Sequence, residues 1–112
     1  MTEDLLSCFL PQGLLDVFEI VKLDNGSSLT IYLEEKNIIP VEYTGHKLTS
    51  KGFYAEARVQ DFPIRDKACY LHIKRRRWLN ESTGKYVSRD WDMVAEGTRM
   101  TQSLADFLKG KD

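Results

Sequence analysis

Apolar side chains recur at every second position through the middle of this chain. Phe53, Ala55, Ala57 and Val59 alternate with Tyr54, Glu56, Arg58 and Gln60, and Cys69, Leu71 and Ile73 alternate with Tyr70, His72 and Lys74. A period of two marks a strand with one buried face, because successive β-carbons point to opposite sides of a sheet. Most of the core must therefore come from a sheet, and the residues between these runs must supply its turns.

Other segments complete an α+β reading. Phe18 to Leu23 is rich in β-branched and aromatic residues after a possible helical turn at Leu14, Asp24-Asn25-Gly26-Ser27 tolerates positive φ, and Leu29 to Glu34 alternates again, which predicts a hairpin. The stretch 37–52 reads as a connecting loop with Pro40, Gly45 and Gly52. A third strand is predicted over 53–60, a tight turn over 63–67, a fourth strand over 68–78, a turn at 80–84 and a fifth strand over 85–89. Thr2-Glu3-Asp4 predicts a short N-terminal helix, and Met100, Leu104, Phe107 and Leu108 predict a C-terminal helix ending near Gly110. The expectation is one domain, 1–112, whose small antiparallel sheet of about five strands is built from hairpins, since short connections cannot cross to a parallel neighbour.

Composition narrows the function classes. A hydrophobic fraction of 42% and a charged fraction of 29% match a soluble globular domain, and no apolar run is long enough to span a bilayer. No export leader is evident, and two distant cysteines, Cys8 and Cys69, read as free thiols of a cytoplasmic protein. The net charge is only −1 but is unevenly spread. Residues 1–50 carry three lysines against eight acids, whereas residues 65–89 carry eight basic residues against two acids.

That basic excess centres on the fourth predicted strand. Regular alternation places Tyr70, His72, Lys74, Arg76 and Trp78 on one aromatic and basic face, with Arg75 and Arg77 reaching solvent past the rim of the other. Cations neutralise phosphates and rings stack on bases, so this strand, with Lys85 and Arg89 from its neighbour, is a candidate nucleic-acid platform. A solvated basic face paired with Glu34 and Glu35 is the competing reading, and Trp78 and Trp91 also suit core or edge packing. Cys8, His46, Cys69 and His72 are too scattered for a zinc site, so no metal or other cofactor is expected. Asp90 and Asp92, and Glu34 beside Glu35, are paired carboxylates without a supporting constellation; no catalytic centre and no enzyme is expected.

The segments Gln60-Asp61-Phe62-Pro63-Ile64-Arg65, Cys69 through Trp78, and Gly97-Thr98-Arg99-Met100-Thr101 together resemble the N-terminal region of insertion-sequence transposases. In that group a zinc-ribbon-like segment precedes a helix-turn-helix and a catalytic DDE domain. Asp61-Phe62-Pro63 is similar to the group's turn, Arg76-Arg77-Trp78 to the end of its basic strand, and Arg99-Met100-Thr101 to its helix start. Leu10 to Asp16, Tyr32 to Asn37 and Lys51 to Tyr54 are similar to a subgroup in which this region is a separate chain. The resemblance implies a non-catalytic domain that binds insertion-sequence ends and works with a catalytic transposase chain. The zinc cysteines of the group are missing, which implies that a larger hydrophobic sheet replaces the metal. The alternative is a protein-interaction module that docks onto the catalytic chain without touching DNA.

Overall fold

The computed structural model describes residues 14–64 and 66–91, together with residue 106. The helices expected near each terminus, Cys8, Asp92 and the 97–101 motif lie outside the described residues.

The possible helical turn at Leu14 forms as α1 (Leu14–Val17), which runs directly into β1 (Phe18–Asn25). Gly26 to Ser28 closes the first hairpin onto β2 (Leu29–Glu35). A register shift between Ile20 and Lys22 leaves Val21 exposed on this outer strand. Such a bulge bends an edge and makes it a poor template for another strand.

Next come a 3₁₀ turn (Val41–Tyr43), β3 (Leu48–Phe53), β4 (Ala57–Ile64), β5 (Lys67–Lys74), β6 (Arg76–Asn80) and β7 (Lys85–Val87). Among the described residues these strands form two sheets, one ordered β1-β2-β5-β4 and the other β3-β6-β7. The single five-stranded sheet is therefore corrected. All-antiparallel pairing is corrected too, because β2 and β5 lie parallel, Leu29 opposite Cys69 and Glu34 opposite Lys74. Short connections do force antiparallel neighbours within each hairpin, but residues 36–66 provide a long excursion between the two central strands, enough for a parallel return.

Leu29, Ile31 and Leu33 of β2, Val59 of β4, and Cys69, Leu71 and Ile73 of β5 point to one face and form the core. Leu14, Phe18 and Trp91 cover that face, the last two rings stacking at 5.4 Å. Pro63 sits on β4, an outer strand, between the register positions Asp61 and Ile64 where the ladder shifts. A residue that lacks an N–H is tolerated there. Asp66 adopts a φ of 64° in the turn to β5, a conformation open to a short polar side chain.

The 68–78 strand is interrupted at Arg75. In β5 the odd positions are buried, whereas in β6 the buried positions are the even ones, Trp78 and Asn80. The chain leaves one sheet and enters the other at this joint. Tyr54 N–H donates to the Arg75 carbonyl at 2.8 Å, and Arg76 N–H donates to the Glu35 carboxylate at 2.8 Å instead of continuing the first ladder. The switch in parity reverses which side chains of the basic run meet solvent.

Candidate nucleic-acid interface

The nine candidate residues meet three different fates. Tyr70, His72 and Lys74 lie on the outer face of the four-stranded sheet, where cross-strand neighbours already satisfy them. The Arg58 guanidinium sits 3.9 Å from the Tyr70 ring centroid, His72 Nδ1 lies 3.0 Å from Glu56 Oε1 and its ring 4.7 Å from that of Tyr32, and Lys74 Nζ lies 3.9 Å from Glu34. Lys22 pairs with Asp24 at 3.7 Å on the same face. Lys22, Arg58 and Lys74 are thus matched by Asp24, Glu34 and Glu56, and Glu19 opposite Glu34 adds a further acid, so the face carries no positive excess.

Arg76, Trp78 and Arg89 point inward to the junction of the sheets, which corrects their placement on a ligand-facing surface. Glu35 is fully buried there. One carboxylate oxygen accepts from Arg76 N–H, and the other from Arg89 Nε at 2.8 Å. Arg76 Nε donates to the Glu35 carbonyl at 3.1 Å, and Arg89 Nη2 to the Ile38 carbonyl at 2.6 Å. Trp78 is 0% exposed, its Nε1 donates to Asn37 Oδ1 at 2.9 Å, and the Arg89 guanidinium lies 5.7 Å from its ring. Burial pushes the Glu35 carboxyl above its usual range, against the opposing pull of the Arg76 N–H and Arg89. Trp78 and Glu35 are enclosed, whereas Arg76 and Arg89 stay partly exposed with guanidinium donors already engaged inside the molecule.

Arg75, Arg77 and Lys85 remain. Arg77 projects from the opposite side of β6 to Trp78, beside Leu79, Tyr86 and Thr49, which adjoin across the register. Its guanidinium lies 4.7 Å from the ring centroid of Tyr86, which is 57% exposed, and Nη2 donates to the Lys51 carbonyl at 3.3 Å. Arg77 makes no ion pair among the described residues. Lys47 lies 3.7 Å from Glu81, whose other support is the Thr49 hydroxyl donating at 2.7 Å. That hydroxyl and the nearby Lys47 and Lys51 hold the Glu81 carboxyl below its usual range. Among the described residues this surface therefore collects Arg77, Lys47 and Lys51 around one acid. Arg75 lies 6.0 Å from the ring of Tyr54, which is also exposed. Lys85 is exposed at the start of β7, opposite Asn80.

Tyr86, Tyr54, Lys47 and Lys51 were not among the sequence candidates. Lys47 and Lys51 fall in the stretch read as a loop, and Tyr86 carried no signal beyond its position beside the basic strand. Among the described residues no three His, Cys, Asp or Glu side chains gather as metal ligands, and no helix is long and apolar enough to cross a membrane. No family model matches the chain, and neither a curated protein nor a solved structure does.

Proposed function

We propose that this chain is a cytoplasmic, non-catalytic DNA-binding accessory domain of an insertion-sequence transposase, and that it contacts element DNA through the outward face of the three-stranded sheet. The resemblance at Asp61-Phe62-Pro63 and Arg76-Arg77-Trp78 supports the family. The observation that carries DNA contact is the surface around Arg77, where three cations meet a single carboxylate and an exposed ring adjoins them. Arg77 would supply the main phosphate contact, with Lys51 and Lys47 around it. Phosphate contacts give affinity without sequence choice, so a catalytic transposase chain would supply specificity and strand chemistry.

The test is a salt titration of binding to duplex element ends and to unrelated duplex, read by fluorescence anisotropy. The double substitution Arg77→Ala with Lys51→Ala should weaken binding to both and flatten the salt dependence by about one per lost phosphate contact. Its thermal midpoint should stay near that of the parent. Unchanged affinity and slope in a folded double variant would refute DNA contact through this face.

A second reading has its own support. Ile38, Ile39 and Val41 are 50%, 42% and 72% exposed on a loop anchored by buried Pro40, by Arg89 on the Ile38 carbonyl and by Asn37 on Trp78. Apolar side chains on a preorganised loop lose little entropy on docking, which suits a protein-interaction module bound to the catalytic chain. Ile39→Asp should abolish capture of that chain while leaving DNA binding intact.

A further inference from the structure

We infer that the outward face of the three-stranded sheet takes single-stranded rather than duplex nucleic acid, an inference that rests on the DNA reading and names its substrate class. Two exposed rings each carry a guanidinium: Arg77 on Tyr86 at 4.7 Å and Arg75 on Tyr54 at 6.0 Å. Tyr86 lies on this face, opposite Leu79 across the register, and Tyr54 follows directly on β3. In a duplex the bases already stack on each other and offer no free face to a ring on a protein surface.

Rings lying on a sheet face cannot reach the faces of bases inside a duplex. An unpaired strand can splay its bases, stack them on Tyr86 and Tyr54, and lay its phosphates against Arg77 and Lys51. The guanidinium over each ring covers one of its faces, so a base would stack on the other face or on the guanidinium plane itself. Charge fits the same occupant, because Arg77, Lys47 and Lys51 face one carboxylate, Glu81, and the outer face of the other sheet has no such surplus. A partner without negative charge would leave these cations unmatched.

The experiment compares the full chain binding an oligothymidylate with its binding to an element-end duplex of equal length, read by anisotropy and by quenching of tyrosine emission. The oligothymidylate should bind more tightly and quench. Tyr86→Leu should lose roughly fivefold to 150-fold in that affinity, whereas Tyr86→Phe, which keeps the ring, should stay near the parent. Circular dichroism confirms that each variant folds. Tighter duplex binding, indifferent to Tyr86→Leu but weakened by Arg77→Ala, overturns the single-strand assignment and leaves the DNA reading standing. Absence of binding to either probe overturns both.

Discussion

Arg76 and Arg77 are adjacent, chemically identical and both partly exposed, yet one is tied to a buried carboxylate and the other rests on an exposed ring. Arg76 joins Glu35, Ser50 and Phe53 at the sheet junction, and Arg77 rests on an exposed tyrosine. A guanidinium has five donors and a planar face, so it can link buried acceptors or present itself to a polyanion. What decides is whether a carboxylate is buried within reach. Glu35 is, and its charge makes the junction intolerant of loss, whereas the face around Arg77 is solvated and tolerant.

The contrast is broken most severely at Arg89. Arg89→Ala would leave the buried Glu35 carboxylate without one of its two arginine partners and release the Ile38 carbonyl, at a cost of about 3–5 kcal/mol in unfolding free energy. Chemical denaturation measures this, and Glu35→Gln added to Arg89→Ala should recover part of the loss by removing the charge. The pH dependence sharpens the same point. The folded Glu35 carboxyl lies above its unfolded value of 4.5, so the folded state binds the proton more tightly. Its contribution is complete below that unfolded value and declines as pH rises through the folded one, because the ionised form bears the desolvation. Stability of the parent measured against Glu35→Gln should therefore fall as pH is raised from that value. A difference that stays flat or grows with pH would mean the arginines outweigh burial.

Trp78 offers a smaller effect. Trp78→Phe keeps most of the buried ring but leaves Asn37 Oδ1 without its donor, costing about 1–3 kcal/mol. Because the ring is enclosed, tryptophan emission should be blue-shifted, and nucleic acid should leave the Trp78 contribution unquenched, as shown by subtracting the Trp78→Phe signal. Quenching of Trp78 by an oligonucleotide would return this residue to the interface and undo the separation of the two regions.

The hairpins of this fold were legible because alternation and turn residues are local. The sequence of 18–34 specified β1 and β2, and Gly84, at a φ of 74°, closes the β6–β7 turn as the Asn80-to-Gly84 segment implied. The parallel pairing of β2 with β5 was not legible, since it joins residues about forty positions apart through a segment of weak periodicity. β3 was hidden for a related reason: Leu48-Thr49-Ser50-Lys51-Gly52-Phe53 has little apolar alternation, and its partner is β6. The site was misread at one residue. Regular alternation carried through Arg75 puts Arg76 and Trp78 outside, but the chain changes sheets there. The clue was chemical rather than periodic: Glu34 and Glu35 were noted as partners for the basic run, and Glu35, at the end of β2, ends up beneath Arg76.

The mildest substitution tests the surface itself. Among the described residues Glu81 is the acid placed among Arg77, Lys47 and Lys51, and it lies exposed, where ion pairs contribute little to stability. Glu81→Gln should change stability little, because the amide can still accept from Thr49. It should also raise nucleic-acid affinity a few-fold at low salt, since Lys47 is freed for phosphate and one repulsive charge is gone. The gain should shrink as salt rises toward and beyond about 0.15 M, where screening acts over roughly 8 Å. The same neutralisation at Glu34, on the outer face of the other sheet, should leave affinity unchanged if that face plays no part. Equal gains from Glu34→Gln and Glu81→Gln would mean that nucleic acid senses only the overall charge of the molecule, and the distinction between the two sheets would lose its functional meaning.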